Sequence, residues 1–158
     1  MIKIKLKIFL ETASIKYKVR TAGEQAVFEH LIECSDNFFP PLSDRVILQE
    51  YSKKISEKAV TFEAWSGNIL IGLVAAYTDA DMQSAFITNV SVLKKYMGFS
   101  IAVALTTRCI EYLKQKKMKE IKLEVHKGNM PAIGLYKKFN FVKYDSKNDI
   151  DLMKVEIH

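Results

Sequence analysis

VLKKYMGFSIAVAL, running from Val92 to Leu105, is where two patterns meet. Before it, SAFITNVSVL is rich in β-formers and reads as a strand ending at Val92. After it, apolar residues at helical spacing predict a helix from about Ser100 to Lys116. A strand that turns directly into a helix exposes unpaired backbone N–H groups, with a partial positive charge behind them. The small residues Gly98, Ser100 and Ala102 let a ligand approach that backbone, as pyrophosphate binding requires. Ser100 is equally the residue type that caps an ordinary core helix. The stretch alone leaves both readings open.

Working outward, the sequence divides into short, well-marked elements. On the N-terminal side, IKIKLKIFL alternates apolar residues with lysine from Ile2 to Ile8, which predicts a strand with one buried face. IKYKVRTA, Ile15 to Ala22, repeats that pattern. GEQAVFEHLIECS keeps Ala26, Val27, His30, Leu31 and Cys34 at helical spacing. DNFFPPLSD then breaks the helix, and Ser43 or Asp44 is a candidate cap for a second one reaching about Ser56. AVTFEAWSGNILIGLVAAY reads as a hairpin turning at Ser66-Gly67-Asn68. On the C-terminal side, EIKLEVHK places Ile121, Leu123 and Val125 on one strand face. NMPAIGLYKKFN is a short helix with Asn129 as cap and Pro131 in its first turn. FVKYD and IDLMKVEI form a final hairpin. The expected order is two strands, two helices, three strands, helix, strand, helix, two strands. That is an α/β (α+β) fold built on a mixed, mostly antiparallel sheet.

Composition limits the function classes. The 158 residues are one domain's worth, and apolar residues at 49% suffice for a full core. Only 6 Gly and 3 Pro leave little room for a flexible linker. The net charge of +6 favours anionic ligands without choosing among them. The densest basic run, KQKKMK from Lys114, sits at an expected helix end, where lysines suit the dipole. No nucleic-acid motif and little aromatic–basic interleaving accompany it, so no nucleic-acid partner is expected. Cys34 and Cys109 lie far apart, both in helical patterns, and form no metal-ligand spacing. Buried free thiols are expected, and no metal. No signal peptide or membrane span is evident, so the expected location is the cytoplasm, with no membrane partner.

The run NVSVLKKYMGFSIAVAL…KEIKLEVHKGNMPAIGLYKKFNFVKY resembles the GCN5-related N-acetyltransferases, the GNAT superfamily. In that family a strand leads into a loop of the form [Arg/Gln]-x-x-Gly-x-[Gly/Ala], which wraps the pyrophosphate of acetyl-coenzyme A. One strand later comes Asn-x-x-Ala-x-x-x-Tyr-x-x-x-Gly-Phe. The second signature is matched here by Asn129, Ala132, Tyr136 and Phe141, with Asn140 in place of the glycine. In the loop, Met97 stands where Arg or Gln is usual and Ser100 where Gly is usual, while Ala102 fits. The resemblance is strong from about Val90 to Tyr144 and its element order extends back to Ile15. It implies residues 1–14 as an extension, a strand on the alternation above, and 15–158 as a single GNAT domain with helices on both sheet faces.

The resemblance also implies a function: transfer of an acetyl group from acetyl-coenzyme A to a primary amine, by direct attack in a ternary complex. The acceptor would be a small molecule or a peptide, and a homodimer would be in keeping with the family. Backbone groups at Val90 and Val92, the loop Met97, Gly98, Phe99, Ser100, Ile101 and Ala102, and Asn129 with Ala132 would hold the cofactor. Tyr136 would be the general acid. Thr88 and Asn89 stand where relatives carry a carboxylate, so the general base is sought at Glu63 or His126, with Glu124 nearby. Phe38 and Phe39, beside Pro40 and Pro41, are candidates for the wall of an acceptor pocket or for a loop packed on the core. A relative that keeps the fold and has lost the chemistry is the alternative reading.

Overall fold

The computed structural model describes the backbone of residues 1–158 and the side chains of residues 1–7 and 14–158. Its elements are α1 (Ile2–Ala13), β1 (Lys16–Val19), α2 (Glu24–Cys34), α3 (Leu48–Lys58), β2 (Val60–Ser66), β3 (Ile69–Asp79), β4 (Ser84–Val92), α4 (Ile101–Gln115), β5 (Glu120–His126), α5 (Met130–Lys138), β6 (Val142–Lys147) and β7 (Ile150–Glu156). From Lys16 onward this is the order the sequence predicts.

Two expectations are corrected. Ile2–Ala13 is a helix, not a strand. A helix closes its own backbone hydrogen bonds, whereas an alternating strand needs an open sheet edge. The lysine alternation is compatible with either, because Ile2, Ile4 and Leu6 are all exposed. The second correction is the start of α3. Leu42–Asp44 forms a separate 3₁₀ turn, and α3 begins after Ile47 with no side-chain cap.

The seven strands hydrogen-bond in the order β1-β2-β3-β4-β5-β7-β6. All neighbours are antiparallel except β4 and β5, which run parallel. A parallel pair needs a crossover, and α4 supplies it. Strand β3 is buried on both sides. Val74 and Ala76 meet Ile101, Leu105, Cys109 and Leu113 of α4, while Leu73 and Ala75 meet Val27 and Leu31 of α2 and Ile55 of α3. Both cysteines are free and buried, and burial pushes each thiol up to about 12.

Strand β4 changes face along its length. Ala75 pairs with Asn89 but Ala76 pairs with Ile87, which leaves Thr88 as an extra, bulged residue. Unbroken alternation would put Ala85, Ile87, Asn89 and Ser91 on one face. The bulge instead leaves Ala85 and Ile87 in the α4 layer and turns Ser91 to His30 of α2.

Close packing of α4 depends on Gly72. A β-carbon there would lie 2.8 Å from Ile101 Cγ2 and 3.1 Å from Leu105 Cδ1, whereas one at Gly134 would meet nothing within 4 Å. Gly72→Ala is expected to cost about 1–3 kcal/mol in denaturant unfolding through overpacking. Gly134→Ala, inside α5, is expected to be stabilising by up to ~1 kcal/mol.

Candidate active site

The sheet opens at the Thr88 bulge. Strands β4 and β5 pair only from Ser84–Glu120 to Ile87–Leu123. Beyond that point β5 stays bonded to β7 as far as His126, while β4 stays bonded to β3 as far as Val92. Among the described residues, therefore, no strand covers the β5-facing edge of β4 from Thr88 to Val92. A bulge bends its strand, which accounts for the divergence. The Tyr51 hydroxyl of α3 donates to the Thr88 carbonyl at 2.7 Å and lies 2.8 Å from Thr88 Oγ1. This tyrosine satisfies a carbonyl at the place where ladder pairing fails. Val90 and Val92 lie on this uncovered stretch of β4.

The loop after β4 completes one end of this cleft. Tyr96 is buried in the core and anchors a 3₁₀ turn over Lys94–Tyr96. Residues Met97 to Ser100 are exposed. Gly98 has φ +87° and Ser100 has φ +60°, so both adopt the left-handed conformation. Ser100 occupies the N-cap position of α4, yet its side chain makes no cap hydrogen bond. The first helical bond, Ala104 N–H to the Ser100 carbonyl, is 3.0 Å. The N–H groups of Ile101, Ala102 and Val103 therefore precede the intrahelical ladder and face the loop end of the helix. A glycine-like backbone, uncapped N–H groups and the positive end of a 15-residue helix suit a pyrophosphate. With the open edge of β4 for an extended amide chain, the donor set fits coenzyme A.

Asn129 caps α5 through its Oδ1, which accepts from Ala132 N–H at 3.3 Å, leaving its NH₂ group to reach a ligand. Tyr136 is buried within the α4-side core, its ring centroid 5.8 Å from that of Phe141. Burial, and secondarily Tyr51, pushes Tyr136 up to about 12. The hydroxyl therefore keeps its proton at neutral pH.

The candidates for general base are placed apart. Glu63 is fully buried, and its carboxylate accepts from Thr21 N–H (2.8 Å), Thr21 Oγ1, Ala22 N–H (3.2 Å), Thr61 Oγ1 (2.6 Å) and Trp65 Nε1 (2.9 Å). Burial raises its pKa, but the bonds from Thr21, Thr61 and Trp65 prevail and hold it below the usual range. Five donors leave no lone pair for a substrate ammonium. Glu63 instead ties the β1–α2 connection to β2. His126 Nδ1 accepts from Gly128 N–H at 2.9 Å, and its ring stands edge-on to Phe39 at 4.5 Å. Glu124 is exposed on β5. The two phenylalanines separate: Phe38 packs against the α2–α3 core, while Phe39 stays 54% exposed beside His126.

Sequence reasoning passed over a polar cluster on the other side of the bulge. His30, in the apolar stripe of α2, is buried between the Leu70 carbonyl and Ser91 Oγ. Ser91 contacts Asn89, next to the bulge. Tyr77 carries a buried hydroxyl that makes no well-formed hydrogen bond; burial raises its pKa, and the nearby Thr88 hydroxyl opposes that rise. The signal available was TNVS, Thr88 to Ser91: three polar residues in a strand flanked by buried neighbours. Among the described residues, no group of three or more His, Cys, Asp or Glu is placed to hold a metal ion. No helix among them is long and apolar enough to cross a membrane.

Comparison with known proteins agrees with this geometry. The sequence model of the acetyltransferase (GNAT) family matches residues 24–141. A curated relative, a candidate ribosomal protein bS18-alanine N-acetyltransferase of Bacillus subtilis (strain 168), is 41% identical over 58 residues. That match spans 37% of this chain and 38% of the relative's length. Among solved structures, PaiA N-acetyltransferase from Thermoplasma acidophilum in complex with coenzyme A superposes with a TM-score of 0.72 at 15% identity, covering 90% of this chain and 99% of that one. The ribosomal-protein-S18-alanine N-acetyltransferase of Escherichia coli gives 0.71 at 16% identity, covering 90% and 94%. A seven-stranded sheet split between its two parallel strands, with a helix N-terminus at the split, is an acyl-coenzyme A-binding fold. This chain belongs to the GNAT acetyltransferase family, whose acyl donor is acetyl-coenzyme A.

The Glu63 assignment has a pH signature. A carboxylate whose pKa is lowered on folding stabilises the fold above its ordinary range, and that stability is lost as pH falls through the depressed value. Glu63→Gln is expected to lose about 3 kcal/mol or more at neutral pH, because charge-accepting bonds and buried donors are both affected. Its unfolding free energy is expected to vary less with pH below neutrality than that of the unaltered protein.

Proposed function

We propose that the chain transfers the acetyl group of acetyl-coenzyme A to a primary amine of a protein or peptide by direct attack in a ternary complex. The observation that carries this reading is the uncovered edge of β4 at the Thr88 bulge, aligned with the open N-terminus of α4. The peptide acceptor is supported by two similar proteins, one a ribosomal-protein-S18-alanine N-acetyltransferase and the other a candidate for that activity.

Acetyl-coenzyme A supplies an acyl group already activated as a thioester. Backbone groups along Thr88 to Val92 would receive its amide-rich arm as an added strand, with Val90 and Val92 on that edge. The N–H groups of Ile101, Ala102 and Val103 would hold the pyrophosphate, with Gly98 and Ser100 shaping the loop and Met97 and Phe99 flanking it. The Asn129 NH₂ group, fixed by its capping bond, would support the same arm, and Ala132 keeps that helix face small. Tyr136 would give its hydroxyl proton to the sulfur that leaves, since burial keeps that proton in place at neutral pH. Holding both reactants at one place supplies much of the rate. His126 and a solvent path remain the routes for the ammonium proton, since Glu63 is occupied.

Calorimetric titration with acetyl-coenzyme A is expected to give one saturable site per chain, and a screen of alanyl peptides and simple amines to give turnover. Tyr136→Phe is expected to lower kcat by roughly 10²-fold and leave KM for acetyl-coenzyme A within about twofold. An unchanged kcat would remove Tyr136 from the acid role. No binding at millimolar ligand would refute the reading. In Ser100→Gly, relief of a left-handed side chain, worth roughly 1 kcal/mol, is expected to stabilise the loop and tighten cofactor binding several-fold.

A further inference from the structure

The two 2.8 Å contacts of His30 favour one set of hydrogen positions in the buried polar chain on the α2 side of β4. His30 is 2% exposed. Its Nδ1 lies 2.8 Å from the Leu70 carbonyl, which can only accept, so Nδ1 carries a proton. Its Nε2 lies 2.8 Å from Ser91 Oγ. No carboxylate is among its partners, and burial pulls its pKa down to about 4, against a small opposing effect of the Leu70 bond. The ring is therefore neutral, and Nε2 has a lone pair and no proton. A contact of 2.8 Å requires a hydrogen between the two atoms, so the Ser91 hydroxyl donates to Nε2. Cys34 Sγ also lies within hydrogen-bond reach of Nε2, at 3.6 Å, and touches Ser91, but neither contact supplies the hydrogen that the 2.8 Å approach of Ser91 Oγ to Nε2 needs.

Ser91 has one hydroxyl hydrogen, and His30 takes it. Ser91 Oγ is also 2.7 Å from a terminal atom of the Asn89 amide. The two ends of an amide are told apart only by their hydrogen bonds. Here the end facing Ser91 must be the donor, the NH₂ group. The opposite end is buried without a well-formed hydrogen bond, and it is then the carbonyl oxygen. With the NH₂ group at this end, the amide donates to the Tyr51 oxygen; with the amide turned, its oxygen faces that of Tyr51, whose one hydrogen goes to the Thr88 carbonyl. The orphan end thus stays an acceptor in want of a donor.

We propose that Asn89 presents its side-chain oxygen, not its NH₂ group, at the bulge, and that this oxygen receives an N–H of the acceptor amine. Ser91 and His30 are the positioning residues that fix this orientation. The second half rests on the acetyltransfer reading above. Asn89 is buried, but Thr88, Tyr51 and Tyr77 around it are only half-buried. For the oxygen to meet the cleft, the Thr88 side chain, whose hydroxyl lies 2.8 Å from that of Tyr51, must turn aside. The subsite is uncharged, so it selects a single amine nitrogen and gives no carboxylate to a second cationic centre. An α-amino group at a peptide end fits it better than a polyamine.

Two measurements test the two halves. The long-range ¹H–¹⁵N spectrum of the His30 ring in the ligand-free protein is expected to show a neutral ring protonated at Nδ1. Protonation at Nε2, or on both nitrogens, at neutral pH would overturn the orientation. For the amine, steady-state kinetics use acetyl-coenzyme A with tri-alanine amide. Ser91→Ala lets the Asn89 amide turn, and is expected to raise KM for the amine roughly tenfold, the effect of one hydrogen bond, with KM for acetyl-coenzyme A within about twofold. Ser91→Thr, which keeps the hydroxyl, is expected to restore the amine KM. An unchanged amine KM in Ser91→Ala, or an equal rise in both KM values, would overturn the amine half. Absence of turnover in the unaltered protein while acetyl-coenzyme A still binds would remove that half together with the acetyltransfer reading, and the ring spectrum would still decide the orientation.

Discussion

The hydrogen bond from the Tyr51 hydroxyl to the Thr88 carbonyl, 2.7 Å long, stabilises the irregularity on which the site depends. Strand β4 carries one residue too many for its partner, and the extra residue is Thr88. A bulge bends the strand and leaves a carbonyl without its ladder partner. Without a donor from α3, that carbonyl would be half-buried and unpaired, at a cost of about 1–3 kcal/mol. With it, β4 can leave β5 after four paired residues and still remain bonded to β3. The same residue reverses the faces of β4. Apolar residues before it meet α4, and Asn89 and Ser91 after it meet the polar edge of α2. One inserted residue thus opens a cleft and places a polar chain behind it.

The scaffold around the bulge is rigid for identifiable reasons. Glu63 binds the β1–α2 connection to β2 through backbone and side-chain donors of Thr21 and Ala22. Helix α2 in turn carries His30 against Leu70 and Ser91. Gly72 lets α4 lie against β3 with nothing between them, and this seats the N-terminus of α4 at the open end of the cleft. The Glu63 carboxylate is therefore part of the support, and the polar groups nearest the bulge, Asn89, Ser91 and His30, carry no charge.

Much of this was legible in the sequence, and the failures have physical causes. Periodicity and turn residues give the order of every strand and helix from Lys16 onward, with the start of α3 misplaced at Ser43 or Asp44. They do not settle the N-terminal segment, because an Ile–Lys alternation with no buried face has no packing to decide between strand and helix. Asn129 was readable both as cap and as ligand group, and its Oδ1 caps while its NH₂ is left over. Ser100 was readable as a cap. The structure puts it in a left-handed conformation with no cap bond, the backbone that the family pattern assigns to glycine. The bulge was hidden because one inserted residue does not alter composition. Only the polar run Thr88 to Ser91 within a buried strand betrayed it. Tyr51 reaches Thr88 from a helix 37 residues away in sequence, and no local pattern announces such a meeting.

The central claim is that the uncovered edge of β4 and the first turn of α4 hold the acyl donor together. Backbone amide hydrogen exchange with and without saturating acetyl-coenzyme A tests it directly. The account predicts slowed exchange, by roughly tenfold or more for each new hydrogen bond, within both Thr88–Val92 and Ile101–Val103, with β6 and β7 unchanged. Protection spread evenly over the chain, or confined to segments outside these two, would contradict it.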